Sequence, residues 1–210
     1  MLTIEEIESL LITGYETRGF ELKGPGSSEE KAFFVKVARA ALSMGNLRDG
    51  GHVVIGIEDT RPQDMLPGLD PEQLKSWQSY DDIADRLAVY ADPPLRFDLA
   101  ELALATDVAV IVLQIHEFDD VPHLCARAYQ HDLRKGALYV RSRKKPETAE
   151  IASSVEMREI LDLAVEKRLR GFIETAERAG VKVVPATATT TSPSTDDTEK
   201  FDSQRGDAWR

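Results

Sequence analysis

The sequence predicts an α+β domain with a mixed or antiparallel sheet of about five or six strands and flanking helices. In four segments, apolar residues recur every three or four positions, which is typical of helices with one buried face. In five or six other segments, apolar residues alternate with polar ones or form short continuous runs, as in strands. Helices and strands alternate early in the chain, whereas hairpins dominate later. The 210 residues are enough for one such domain and a tail.

The predicted helices are bounded by capping residues and by helix breakers. The first begins at a capping box that runs from Thr3 to Glu6, and the last begins at Ser153 with Glu156 three positions later. Asp70 followed by proline opens the third helix, because proline is accepted in the first helical turn. We therefore expect helices over residues 3–14, 27–45, 70–91 and 153–180.

The predicted strands differ in how deeply they are buried. Residues 52–57 are almost continuously apolar and predict a central strand. Residues 95–99 and 108–115 predict an antiparallel pair joined near residues 105–107. Further extended segments are expected at 15–23, 122–126 and 136–141. Residues 1–180 would form this α+β domain, and residues 185–210, which are rich in Thr, Ser, Pro and Asp, predict a disordered tail.

Composition and missing motifs exclude several classes of protein. With 26 basic and 37 acidic residues the net charge is -11, which argues against a protein that coats nucleic acid non-specifically. No phosphate-binding P-loop occurs, so we expect no nucleotide cofactor. The single cysteine, Cys125, can form neither an internal disulfide nor a thiolate zinc site. No apolar run is long enough to span a membrane, and the acidic start lacks a secretory signal, so we expect a cytoplasmic protein.

Three carboxylates are candidates for a metal site. Glu16 and Glu21 would face opposite sides of a flat strand, but a bulge at 18–19 would bring them to one face. Asp59 follows the central strand and would join them if that strand lies alongside. Closely spaced carboxylates favour a hard cation such as Mg²⁺ or Mn²⁺, and Lys23 would share the face of Glu21 and hold a phosphate. The alternative is a group of solvated acids at the rim of the sheet.

The basic residues are concentrated in one stretch. Residues 121–150 contain seven basic and three acidic side chains, although the whole chain is acidic. Several of them follow a predicted strand directly and would cluster at its end, as phosphate binding requires. The alternative is a solvated loop. The candidate nucleic-acid-binding residues are Arg134, Lys135, Arg141, Arg143, Lys144 and Lys145.

The order of these motifs resembles the Schlafen-type Alba-like domain over roughly residues 10–170. The resemblance rests on Glu16-x-x-x-x-Glu21-Leu-Lys23, on residues 40–46 and 49–59, and on Gly136-Ala-Leu-Tyr-Val-Arg-Ser-Arg143. Two features depart from the family pattern. The usual Asn-x-x-Gly-Gly turn is lengthened at residues 46–51, and the glycine expected shortly after Arg141 is replaced in Ser142-Arg143-Lys144.

The resemblance implies a nucleic-acid-binding protein. In the Schlafen branch it implies a metal-dependent endoribonuclease that acts on structured RNA such as transfer RNA, with Glu16, Glu21 and Asp59 as the catalytic and metal-binding triad. It favours RNA over DNA, although no residue identifies a contact to a 2′-hydroxyl. Because the Schlafen core has two such lobes and this chain has one, a homodimer is expected. A non-catalytic DNA- or RNA-binding regulator and a protein-interaction module remain as alternatives.

Overall fold

The computed structural model describes residues 2–13, 17–105, 107–143 and 145–181. The helices are α1 (Ile4–Thr13), α2 (Lys31–Gly45), α3 (Pro71–Trp77), α4 (Tyr80–Ala88) and α5 (Ser154–Arg178), with a 3-10 helix at Pro62–Asp64. The strands are β1 (Phe20–Lys23), β2 (Gly51–Ile55), β3 (Ala91–Asp92), β4 (Phe97–Ala103), β5 (Ala109–Ile115), β6 (Leu124–Cys125), β7 (Tyr139–Arg141) and β8 (Thr148–Glu150).

The main sheet has the strand order β1-β2-β5-β4. Strand β1 is parallel to β2, with Glu21 opposite Val53, and the other neighbours are antiparallel. Two small antiparallel pairs, β3 with β6 and β7 with β8, complete the strands in the described residues. The predicted α+β class with a mixed sheet is therefore confirmed. The two strands that the sequence did not predict are β3 and β8, which are too short to show periodicity.

Strand β2 is buried on both faces. Val53 and Ile55 lie in the larger apolar core, with residues of α2, α3 and α4, whereas Val54 lies in a second core that contains Ile7 and Leu11 of α1. A strand covered by helices on both sides needs apolar side chains at successive positions. This explains why residues 52–57 form an almost unbroken apolar run.

The predicted third helix is two helices in the structure. Helix α3 ends at the buried Trp77, whose indole nitrogen donates to the carbonyl of Gly26 at 2.9 Å. Ser79 then caps α4 by accepting a hydrogen bond from the backbone N–H of Asp82. The prediction of one helix was wrong here because serine at an N-cap starts a new helix even when apolar periodicity continues.

The described residues up to 169 belong to one compact unit, and the described residues from 170 onward belong to a second. The described part of the second unit is the end of α5 and the residues up to 181. Gly14 and the predicted disordered tail, residues 185–210, lie outside the described residues. In the described part of the chain, no helix combines the length and the apolar character that crossing a membrane requires.

Candidate functional site

A glycine turn brings the end of β2 beside the end of β1. The backbone N–H groups of Gly56 and Ile57 both donate to the carbonyl of Lys23, at 2.9 and 3.1 Å. Gly56 has a φ of 118°, which other residues rarely adopt. The turn carries the following residues, including Asp59, toward the cavity that Glu21 and Lys23 line.

This cavity, called the Glu21 cavity below, has a volume of about 430 Å³. Four carboxylates and four cations lie among its lining residues, so the formal charges balance. It contains Glu21, Lys23, Asp59 and Arg141, all of which the sequence singled out. The lining residues are Glu21, Lys23, Lys36, Arg39, Ala40, Asp59, Asp132, Arg141, Glu147 and Thr148.

Glu21 is buried and uses both of its carboxylate oxygens. Lys23 Nζ donates to Oε1, and Arg141 Nη1 donates to Oε2. Thr148 Oγ1 also donates to Oε2, at 3.2 Å. Because a carboxylate is costly to bury unless it is paired and hydrogen-bonded, these three donors offset the cost of burying Glu21.

Arg141 holds β1 as well as Glu21. Its side chain is 1% exposed, and its Nε donates to the carbonyl of Arg18 at 3.1 Å. In return, the Arg18 guanidinium donates to the carbonyl of Arg141 at 3.2 and 3.1 Å and forms an ion pair with Glu159. The sequence predicted that Arg141 would contact nucleic acid, but the structure places its guanidinium inside the protein.

Most other predicted nucleic-acid-binding residues carry a carboxylate partner. Arg143 donates to Glu159 at 3.0 Å, and Arg134 forms an ion pair with Glu150. The hydrogen bond from Arg134 holds the pKa of Glu150 below its ordinary value. Lys145 lies 4.0 Å from Glu147, and both side chains are exposed.

Lys135 is exposed and has no ion-pair partner among the described residues. Lys144 and Glu16 lie outside the described residues.

Two cations of the cavity were missed by the sequence analysis. Lys36 and Arg39 lie three positions apart on α2, and both line the Glu21 cavity. Neither has a carboxylate oxygen within 4 Å in the part of the chain that is described. Arg39 Nη2 donates to the carbonyl of Thr148 at 3.1 Å, and its guanidinium lies 5.6 Å from the ring centre of Tyr139. The only sequence signal was that both positions are charged within the apolar run of residues 32–42.

The carboxylate oxygens of the cavity are the type of ligand atom that a hard cation prefers. Mg²⁺ binds through one or two carboxylates and completes its coordination with water and substrate phosphates. Glu21 and Asp59 would supply the two carboxylates. Within the described residues, no group of three or more His, Cys, Asp or Glu side chains is arranged to hold a metal ion. Lys23 and Arg141 occupy the oxygens of Glu21 and would compete with an ion there.

Comparisons with known proteins cover the segment that contains the Glu21 cavity. The sequence profile of the family described as Schlafen, AlbA_2 matches residues 16–150, which include β1, α2, β2 and the β7–β8 pair. Among curated proteins, none matches. The DIP2311 protein from Corynebacterium diphtheriae is similar in structure, with a TM-score of 0.49 and 16% identity over 70% of this chain. The matched part is 26% of that protein chain.

Proposed function

The chain belongs to the Schlafen, AlbA_2 family, whose function is related to nucleic acid, and we propose that it binds and cleaves RNA at the Glu21 cavity. The proposed substrate is structured RNA such as transfer RNA. The proposed reaction is metal-dependent hydrolysis of a phosphodiester bond. Both rest on the contents of this cavity.

The observation that carries the proposal is the presence of two cations, Lys36 and Arg39, that line the cavity without forming an ion pair among the described residues. Lys23 and Arg141 neutralise Glu21, whereas Lys36 and Arg39 have no carboxylate partner among the described residues. A phosphate group is therefore an anion that these two cations could bind. Arginine can donate two parallel hydrogen bonds to a phosphate, and lysine adds a point charge.

The catalytic part of the proposal assigns roles to the carboxylates. Glu21 and Asp59 would hold Mg²⁺ or Mn²⁺, with Glu16 as the predicted third residue. A bound metal ion of this kind lowers the pKa of water and stabilises the charge that develops on a phosphoryl group. Lys23 orients Glu21 through its ammonium group and can contact the phosphate from the same side. Arg39 and Lys36 would hold the RNA backbone in place.

A non-catalytic RNA-binding role is the second candidate. It is favoured by the ion pairs of Glu21, because a carboxylate that already has Arg141 and Lys23 as partners needs no metal ion for charge balance. In that case, the cavity would bind phosphate through Lys36 and Arg39 and leave the RNA intact.

Paired measurements of binding and cleavage separate these candidates. Fluorescence anisotropy would give the affinity for transfer RNA, and gel electrophoresis would give cleavage with Mn²⁺ and with chelator. The variants are Glu21→Gln, Asp59→Asn and Lys36→Ala/Arg39→Ala. Asp119→Asn is the matched control, because this exposed aspartate pairs with Arg96 and does not line the cavity.

Each outcome decides between the candidates. The nuclease proposal requires that Asp59→Asn abolishes cleavage and keeps binding, while Lys36→Ala/Arg39→Ala weakens binding. If the wild-type protein binds RNA but never cleaves it, the non-catalytic role stands. If it does not bind RNA at all, both candidates fail.

We also propose that the protein is a homodimer. The chain contains one lobe, and β4 is an edge strand of the sheet in the described residues. Two copies related by a two-fold axis would give two Glu21 cavities to one RNA molecule.

A further inference from the structure

A second cavity lies next to the Glu21 cavity and shares two of its lining residues, Arg39 and Asp132. This second cavity, called the loop cavity below, has a volume of about 400 Å³. The two cavities are therefore adjacent, and Arg39 lies at their boundary. The other lining residues are Ala128, Gln130, His131, Leu133, Arg134, Tyr139 and Glu150.

A tight loop presents the polar residues of the loop cavity. The backbone N–H of Tyr129 donates to the carbonyl of Leu133 at 2.9 Å, and that of Leu133 donates to the carbonyl of Tyr129 at 3.1 Å. Leu133 is buried and anchors the loop, whereas Gln130 and His131 are exposed at its tip. Both side chains are therefore available to a molecule in the cavity.

The boundary between the two cavities is held in a fixed position. The Tyr139 hydroxyl accepts from the backbone N–H of Arg134 at 2.9 Å and donates to the carbonyl of Asp132 at 3.3 Å. The Arg39 guanidinium lies over the Tyr139 ring and bonds to Thr148. A phosphate held by Arg39 would thus stand at a defined place at the entrance to the loop cavity.

The charges of the loop cavity favour a neutral ligand group. Arg134 is paired with Glu150, and Asp132 adds a carboxylate beside Arg39. No uncommitted cation therefore remains there for a second phosphate among the described lining residues. A glutamine amide both donates and accepts hydrogen bonds, and a neutral imidazole has a flat face, a donor and an acceptor. These are the groups that contact an exposed nucleobase.

We propose that the loop cavity binds the base of an unpaired nucleotide whose phosphate is held by Arg39. Gln130 hydrogen-bonds to the edge of the base, and His131 stacks on its face. This inference rests on the proposed RNA binding at the Glu21 cavity. It adds that the substrate must present a single-stranded nucleotide there, as loops and ends of structured RNA do.

The test combines protein variants with RNA that lacks single bases. The probe is a fluorescent four-nucleotide RNA, together with four derivatives that each carry one abasic position. The variant is Gln130→Gly/His131→Ala, in which glycine is chosen because Gln130 has a φ of 43°. His116→Ala is the control, because His116 is a half-buried histidine that pairs with Asp98 and lines neither cavity. Circular dichroism would check that both variants fold.

We expect the double variant to bind the intact RNA roughly ten-fold more weakly than the wild type. One abasic position should weaken wild-type binding to a similar extent. The same abasic position should not weaken RNA binding by the double variant any further. Unchanged affinity of the folded double variant, or an equal loss with every abasic RNA, would overturn the inference.

Different results would contradict the proposed RNA binding at the Glu21 cavity. If the wild-type protein does not bind the RNA, or if Arg39→Ala leaves its affinity unchanged, RNA binding at the Glu21 cavity is wrong and the inference falls with it. If Arg39→Ala weakens binding but the loop variant does not, only the base-binding cavity is wrong.

Discussion

Arg141 and Thr148 lie opposite each other on the paired strands β7 and β8, and both donate to the same oxygen of Glu21, Oε2. The β7–β8 pair therefore fixes the position of a carboxylate that belongs to a different sheet. Thr148 also shares a hydrogen bond of 2.8 Å with Ser43 of α2. Residues from β1, α2 and the β7–β8 pair thus meet at Glu21.

The first prediction concerns the buried ion pair of Arg141 and Glu21. Arg141→Met should lower the free energy of unfolding by about 3–5 kcal/mol, because it removes one partner and leaves a buried carboxylate. Adding Glu21→Gln should recover part of this loss. Urea unfolding of the wild type, both single variants and the double variant would measure the coupling. Strictly additive effects would show that the two side chains do not depend on each other.

Thr148 provides a second prediction. Thr148→Val keeps the shape of the side chain but removes its hydroxyl, so it should lower the free energy of unfolding by about 1 kcal/mol. Thr148→Ser keeps the hydroxyl and is the control. The same urea titrations apply. Equal stability of the valine variant and the wild type would mean that the 3.2 Å contact with Glu21 contributes nothing.

The third prediction concerns which cations contact RNA. On a single strand, each phosphate contact contributes roughly 0.7 to the slope of log affinity against log salt concentration. Lys36→Ala and Arg39→Ala should each reduce this slope by about that amount. Arg143→Gln should leave it unchanged, because Arg143 is already paired with Glu159. The reverse pattern would restore the cluster at 141–145 as the RNA-binding surface.

The fourth prediction concerns pH. Partial burial alone would raise the pKa of Glu159, but hydrogen bonds from Arg143 and Arg18 outweigh it and hold this pKa below its ordinary value. A carboxyl group whose pKa is lower in the folded state stabilises the protein above its unfolded pKa. The contribution disappears as pH falls through the folded pKa.

Glu159→Gln should therefore be less stable than the wild type at pH 7, by about 1 kcal/mol, and this difference should shrink below about pH 4. Thermal unfolding between pH 3 and pH 7 would measure it. A stability difference that stays constant with pH would contradict the assignment.

The fifth prediction concerns oligomeric state. Light scattering at micromolar concentration should give about twice the chain mass of 23.3 kDa. Dilution should shift the mass toward the monomer if the interface is of modest size. A constant monomer mass over the whole range would contradict the proposed homodimer.

The sequence predicted the parts of the site that depend on local pattern. The apolar run at 52–57 located β2, and its end located Asp59. The alternation around Glu21 and Lys23 located β1, and the structure places all three side chains at one cavity. Each of these predictions needed only neighbouring residues and the expectation that the two strands lie side by side.

The remaining parts depend on contacts between distant segments. Arg141 and Arg143 lie close together in the basic segment at the end of β7. Arg141 is buried against Glu21, whereas Arg143 pairs with Glu159 of α5. The local sequence pattern does not distinguish the buried arginine from the exposed one. Lys36 and Arg39 were not predicted for the same reason, since the packing of α2 beside β7 and β8 gives them a common cavity.

The hydrogen bonds from cations to β1 also affect whether another strand can pair with this edge of the sheet. Strand β1 bonds to β2 through the carbonyls of Gly19 and Lys23, so the carbonyls of Phe20 and Leu22 point away from β2. Arg141 donates to the first of these at 3.5 Å, and Lys23 donates to the second at 3.2 Å. An incoming strand finds these acceptors already occupied. Addition of a strand from another chain, the usual hazard of an edge strand, is therefore less favourable at β1 than at the other edge strand, β4.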